Sequence, residues 1–410
     1  MTVRTNVILL ALLTCAASAH AGERAPGAIL SACAAFATDG SSAAVTIRDA
    51  DLSLEIVPPS SKVTHLNLTL FSRPAPRLPV PENLPRGWTE ACEIFFDETG
   101  HSVAIGIRPT AVPPAYPGGP LEVAVADVRA QAWLGHFLVS ASARFTPYQL
   151  AGFLRGGDKL VVAEQAITTD VTASEGELYA SFLFSPTGEA LSNAPTTVWR
   201  TPAQFSIDAH HNRLWILPCQ WYSARFSEQP LCSISSMPLS GGEESDNLAF
   251  SPLGRASKRE EIWMVPGAFV SPSADAILLA ETIPIHEVDT IWRLDMRSQT
   301  MERLVLPCRV HFPSMEGAGS ASLSPDDEVA AISFDQFTHK FPWLTEDMRW
   351  AGKHIALVRV RPLELLGIFP PGSAQRISAM AVDHRDGNII LLTLRRDRWE
   401  RQELHTTASR

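Results

Sequence analysis

Leu323-Ser324-Pro325-Asp326-Asp327-Glu328-Val329-Ala330-Ala331-Ile332-Ser333-Phe334 is the stretch on which the fold turns. Ser, Pro and two Asp residues make a tight turn, because Pro presets one backbone angle and Asp bonds the backbone just ahead of it. From Val329 to Phe334 five of six residues are apolar, a run short for a helix and right for a strand covered on both faces. Working outward, the same turn-then-strand unit recurs. Its turns are Phe36-Ala37-Thr38-Asp39-Gly40, Phe96-Asp97-Glu98-Thr99-Gly100, Leu154-Arg155-Gly156-Gly157-Asp158, Ile207-Asp208-Ala209-His210-His211, Ser271-Pro272-Ser273-Ala274-Asp275 and Val382-Asp383-His384-Arg385-Asp386-Gly387. Gly40 and Gly387 lie six intervals apart, a period of about 58 residues.

Strand chemistry follows each turn: Val103–Ile107, Leu160–Ala163, Leu214–Leu217, Ile277–Ala280 and Ile389–Leu394. Third strands with alternation come next, as in Thr290–Met296 and Ile355–Val360. No 3.6-residue period is sustained, and 31 prolines and 24 glycines are scattered along the chain. Small sheets apolar on both faces must stack on one another, and radial repetition does so while keeping edges short. The reading is an all-β fold, a single β-propeller of seven blades, with eight as the minority count. The eighth would come from Leu178–Phe184 followed by the turn Ser185-Pro186-Thr187-Gly188. The last copy stops at its third strand, Trp399 to Leu404, and Ala25 to Leu30 is the expected source of a fourth.

The stretch from Leu323, together with Phe269–Asp275 and its downstream Ile291-Trp292-Arg293-Leu294-Asp295, resembles the S-P-D-G-x-x-(L/I)-A repeat of TolB-like and WD-repeat-like propellers. The resemblance covers most of the chain as a blade pattern and is sharp in two or three blades. It implies a fold shared by peptidase accessory domains, transport accessory proteins, lyases and scaffolds, and so no single activity.

Residues 1–21 read as a signal peptide, with Arg4, an apolar run from Val7 to Leu13, and Ala19-His20-Ala21 as the cleavage site. The propeller is expected over 22–410, in the periplasm or secreted. The alternative, a lipid anchor at Cys15, is disfavoured by Thr14 directly before it. No run approaches the roughly 20 apolar residues of a membrane-spanning helix. Acidic residues outnumber basic ones, 44 to 34, for a net charge of −10, which argues against nucleic acid as a partner. Beyond Cys15 there are five cysteines, an odd number. Cys219 and Cys232 are the expected disulfide, with the pairing of Cys33, Cys92 and Cys308 left open.

Length variation is expected between second and third strands, on the face that also carries the blade-to-blade connections. Aromatic residues there are the binding-face candidates: Tyr116, Trp221, Tyr222, Phe341, Trp343 and Trp350. They equally suit the bland task of folding long loops onto the rim. His286, Glu287 and Asp289 are the acid–base or metal candidates, with His311 and His339 as histidines that other blades could add. Their number is small for a site. The recurring turn Asp (Asp39, Asp97, Asp158, Asp208, Asp275, Asp326, Asp386) is read as turn chemistry, since a group present in every copy answers a local need. His210-His211 reads as a surface turn. No G-x-S-x-G, P-loop or H-E-x-x-H motif occurs, and neither cofactor nor metal is expected. The favoured function is a non-catalytic protein- or peptide-binding module. The alternatives are a hydrolase or lyase with dispersed residues at the central funnel, and a small-ligand or glycan binder.

Overall fold

The computed structural model describes residues 29–48, 50–59, 62–71, 90–109, 121–139, 148–166, 177–193, 197–199, 203–208, 213–218, 232–238, 245–250, 267–270, 276–280, 288–295, 298, 300–311, 321–336, 354–369, 377–395 and 397–405. Among them there are strands and turns and no helix. The first antiparallel meander is β1 (Ile29–Phe36), β2 (Ser42–Arg48), β3 (Asp51–Val57) and β4 (Thr64–Thr69). The second is β5 (Glu90–Phe96), β6 (Ser102–Pro109), β7 (Leu121–Asp127) and β8 (Ala132–Val139). In the third, β9 (Tyr148–Phe153), β10 (Leu160–Ala166) and β11 (Glu177–Phe184) are completed by β12 (Ala190–Asn193) and β13 (Thr197–Trp199), both paired along β11. The fourth is β14 (Ala203–Asp208), β15 (Arg213–Pro218), β16 (Cys232–Pro238) and β17 (Ser245–Phe250).

The fifth contains β18 (Gly267–Val270), β19 (Ala276–Ala280), β20 (Val288–Asp295) and β21 (Thr300–His311). Next come β22 (Ala321–Leu323), β23 (Val329–Gln336), β24 (His354–Arg359) and β25 (Glu364–Phe369), tied to the fifth through β21 and β23. The last is β26 (Ile377–Arg385), β27 (Asn388–Arg395) and β28 (Arg398–His405). The apolar runs read from sequence are the second strands β6, β10, β15, β19, β23 and β27. The turn at Ser185 joins β11 to β12, the third to the fourth position of one meander, so it opens no sheet of its own.

Burial explains why these runs are unbroken. All but the last residue of β7 are buried, whereas the outer strand β4 alternates half-buried and exposed. An inner strand has a neighbouring sheet on each side, while an outer one has water on one. Val45, Ile47, Leu52, Leu54 and Ile56 of the first sheet meet Val103, Ile105 and Ile107 of the second. Val123, Val125 and Leu121 of the second meet Leu150, Leu160 and Val162 of the third. The fifth packs on the sixth through Ile291 and Leu306, the sixth on the seventh through Val329, Leu357, Met380 and Leu391. The seventh meets the first through Ala381 and Leu392 against Phe36 and Ala44, and through Ala379 and Leu394 against Ala32. First strands lie beside first strands along this series, β22–β26–β1–β5–β9–β14, which places them at the narrow side of each wedge. The architecture is that of a β-propeller.

One expectation changes, and one pairing left open is filled. Ile29 and Leu30 open β1, where Ile29 lies opposite Arg48 of the first sheet, so they add no fourth strand to the last one; 25–28 lie outside the described residues. The ends of the chain are instead brought together by apolar faces. The disulfide observed is Cys33–Cys92, with Cα atoms 5.6 Å apart. The expected Cys219–Cys232 pair lies outside the described residues at Cys219, while Cys232 begins β16.

Parity accounts for the Cys33–Cys92 bond. The turn glycines Gly40 and Gly100 mark equivalent positions of the first two repeats, which makes Cys92 the counterpart of Ala32. Ala32 faces the preceding sheet, so Cys92 does too, while Cys33, one residue further along β1, faces forward. The two therefore meet across one seam, both 1% exposed. Closing a loop with a separation of 59 residues contributes at most about 4 kcal/mol through the unfolded chain. Five fully buried aliphatics on one face, at roughly 1.5–3 kcal/mol each, outweigh it. The variant Cys33→Ala/Cys92→Ala should still fold and lose about 2–4 kcal/mol, read as a lower urea midpoint at unchanged slope. A wild-type midpoint would show that the bond adds nothing to the apolar seam.

Candidate functional site

The strands define two ends of the ring. At one end the first strand turns into the second, and here the turn carboxylates do local work. Asp39 accepts from the Ser41 backbone N–H at 2.8 Å and Asp97 from that of His101 at 2.8 Å. Asp326 accepts the Ser324 hydroxyl at 2.6 Å and the Glu328 N–H at 3.1 Å. The turn-chemistry reading holds for these three. The carboxylates also sit against the next blade. A Cβ on Gly100 would lie 2.9 Å from the Asp39 carboxyl carbon, and one on Gly157 would lie 2.7 Å from an Asp97 oxygen. Both glycines also have positive φ, +72° and +73°, so the turn needs them twice over.

Side chains continue the belt. Thr38 donates to the Glu98 carbonyl at 2.9 Å, and Arg155 approaches Glu98 at 4.0 Å. His384 Nδ1 pairs with Asp326 at 2.8 Å across the sixth and seventh sheets. Arg385 donates to the Ala37 carbonyl at 2.6 Å across the seventh and first, and its Nε lies 2.9 Å from Asp383. Asp383 is 2% exposed, and its Oδ1 has no hydrogen-bond partner. Burial pushes its carboxyl above the ordinary range; Arg385 pulls it back in part, and Asp326 adds to the rise. Sequence reading placed this segment as a turn and passed over Asp383. The available signal was a carboxylate continuing the apolar run Ala379–Val382.

At the other end the second strand passes to the third and each sheet to the next. The connections between second and third strands are 49–50, 110–120, 167–176, 219–231, 281–287, 337–353 and 396–397. Their lengths vary widely, whereas the turns at the opposite end are uniformly short. Tyr116, Trp221, Tyr222, Phe341, Trp343, Trp350, His286 and Glu287 belong to these connections and lie outside the described residues. Asp289 is the second residue of β20, and His311 ends β21.

Near this end is a buried ion-pair candidate that sequence reading missed. Glu122, second residue of β7, is 0% exposed. It accepts the Phe71 backbone N–H at 2.9 Å and pairs with His136 Nε2 at 2.7 Å. The rings of Phe71 and His136 stack at 4.1 Å. Phe71 follows β4, so Glu122 fastens the chain leaving the first sheet onto the second. Trp133 does the same further out, donating to the Asn67 carbonyl at 3.1 Å. A lone Glu within an otherwise apolar strand, Leu121–Ala126, was the signal. Among the described side chains, no three His, Cys, Asp or Glu residues are grouped as metal ligands are. Among the described residues no helix is long and apolar enough to cross a membrane.

Solved structures share this architecture. A chain of the mitotic checkpoint complex matches with a TM-score of 0.50 and 9% identity, over 93% of this chain and 90% of that one. The β-propeller domain of the Trilobed protease from Pyrococcus furiosus matches with a TM-score of 0.48 and 10% identity, over 93% and 99%. Oligogalacturonate lyase in complex with manganese gives 0.49 and 10%, over 93% and 90%. No model of a known protein family and no curated protein matches the sequence. At such identities the likeness concerns fold alone, and that fold is a β-propeller.

Two outcomes follow. A carboxyl raised in the folded state binds its proton more tightly there than in the unfolded chain. Its contribution to stability is therefore full below the ordinary carboxylate value and is lost as pH rises through the raised one. Asp383→Asn should flatten the decline of Tm with pH above about pH 4; slopes identical to wild type would refute the assignment. Glu122→Ala strands the Phe71 N–H and the His136 ring, and should cost about 2–3 kcal/mol in urea unfolding. Glu122→Gln, which can still accept the Phe71 N–H, should cost clearly less.

Proposed function

We propose that this chain is an exported propeller of seven blades that binds a protein or peptide across its loop-rich face without catalysing a reaction. The observation carrying the reading is the division of labour between the two ends of the ring. The short-turn end spends its carboxylates on its own turns, and His384 and Arg385 on ties to the neighbouring sheets. The long and unequal connections collect at the other end. Variable segments held at one face of a rigid scaffold are suited to recognition. The aromatic residues Tyr116, Trp221, Tyr222, Phe341, Trp343 and Trp350 belong to those segments and offer large contact area at low entropic cost.

Further support comes from the strand count. Seven successive meanders occur among the described residues, and the seventh packs on the first. Export is supported by the leader-like residues 1–21 and by the buried Cys33–Cys92 bond, which suits an oxidising compartment. The hydrolase or lyase reading calls for a His and carboxylates converging at the central funnel. Of the described His–carboxylate pairs, His384–Asp326 ties the sixth sheet to the seventh, and His136–Glu122 lies within the second sheet, where Glu122 also holds the Phe71 N–H.

The test is affinity capture from the exported fraction with wild type and with Trp343→Ala/Trp350→Ala, both checked for cooperative melting. A protein retained by wild type and reduced at least tenfold by the variant supports recognition through this face. Retention equal in the two would sink it.

A further inference from the structure

The last sheet carries an arginine with less compensation than its burial calls for. Arg395 ends β27 and Arg398 begins β28, on either side of a short connection at the loop-rich end of the ring. The two are directly opposite in the antiparallel register, so they share one face, with Cβ positions about 4.5–5.5 Å apart by cross-strand geometry. Leu391 packs with Val329 and Leu357 of the sixth sheet. Thr393 and Arg395 follow it at alternate positions along β27 and therefore face the sixth sheet as well. Glu400, opposite Thr393, is on the same face.

The Arg395 side chain is 10% exposed, and its Nε is enclosed with no hydrogen-bond partner among the described residues. The carboxylate paired with it, Glu400, stands 3.8 Å away, outside hydrogen-bonding range, and is itself 58% exposed. Arg293 shows what an arginine at comparable burial holds elsewhere in this protein. At 7% exposed, it has Asp295 at 2.8 Å and Glu302 at 3.1 Å. Withdrawing a guanidinium from water is unfavourable unless close acceptors replace the lost hydration. Arg398, directly opposite, adds like-charge repulsion. In a chain of net charge −10 this excess of positive charge is local, and a further carboxylate is what would balance it.

We propose that Arg395 and Arg398 form a binding site for a carboxylate group of an acidic peptide. A planar guanidinium offers parallel N–H donors that match the two oxygens of a carboxylate, and charge-assisted bonds of this kind are the strong ones. The site lies at the end where the unequal connections collect, and it deepens the recognition reading, on which it rests, by naming the charge of the partner. Arg401 is its natural control. It is opposite Leu392, which packs with Phe36 and Ala44 of the first sheet, so Arg401 belongs to the other face.

The probe is a rhodamine-labelled, end-capped triglutamate peptide, with triglutamine as its uncharged counterpart, titrated into the full-length protein at low ionic strength and read by fluorescence anisotropy. Wild type should bind triglutamate at least tenfold more tightly than triglutamine. Arg395→Met and Arg398→Met should each lose that preference, and Arg401→Met should keep it. Melting without peptide separates a binding residue from a structural one. Removal of an under-compensated buried charge should leave Arg395→Met melting at or above the wild-type temperature. Glu400→Gln, which removes the competing carboxylate, should bind triglutamate at least as tightly as wild type. Equal binding of the two peptides by wild type, or a preference that survives both arginine substitutions, would overturn the proposal. So would a lower melting temperature for both Arg395→Met and Glu400→Gln, which would make the two residues a structural ion pair. Displacement of triglutamate by inorganic phosphate at equal concentration would overturn a peptide as the source of the anion. None of these measurements uses the exported fraction or alters Trp343 and Trp350, so a failure here and a failure of capture are read separately.

Discussion

A sheet that is apolar on both faces cannot stop at one neighbour, and the rest of this structure follows from that constraint. Ala124 and Ala126 of β7 look one way and Leu121, Val123 and Val125 the other, all fully buried. Each such sheet presents a second apolar face that needs a further sheet, so the stack either exposes oily ends or bends round to cover them. Here the first and last described sheets cover each other through Phe36, Ala44, Ala381 and Leu392. Closure is thus a matter of apolar area, to which the Cys33–Cys92 bond and the Arg385 tie add direction at particular seams.

The polar groups that remain inside the seams are spent on alignment. Asp383, Glu122 and Arg293 are almost fully buried, and each has charged or backbone partners. Leaving such a group unpaired costs more than pairing it gains, so each pair penalises a wrong register more than it deepens the right one. Glu122 and Arg385 both reach the chain of an adjacent sheet, Phe71 and Ala37 respectively, and so fix how far one sheet slides on the next. The short-turn end becomes a rigid rim, against which the unequal connections of the other end can vary without disturbing the core.

Much of the fold was legible because its cause is local. A continuous run such as Ile389–Leu394 has one explanation at that length, and the Ser324–Asp327 turn carries its own hydrogen bonds. The candidate site was less legible. Sequence reading gathered His286, Glu287 and Asp289 because they are neighbours in the chain, and named His311 only as a possible addition. It passed over Glu122, whose partners Phe71 and His136 are gathered only when the chain leaving β4 meets β7. The pairing of Cys33 with Cys92 stayed open for a similar reason. Cys33 and Cys92 are close because one blade period, shifted by a single residue, turns two side chains toward a common seam.

By itself, then, the sequence determined the strands, the turns and the repeat that stacks them, because hydrophobic alternation and turn chemistry act over a handful of residues. Tertiary structure alone decided which faces meet: the Cys33–Cys92 bond, the Glu122–His136 pair and the raised carboxyl of Asp383. Each depends on strand parity and on the slide of one sheet against the next. A one-residue change in either reverses the face a side chain occupies, and no local pattern records that choice.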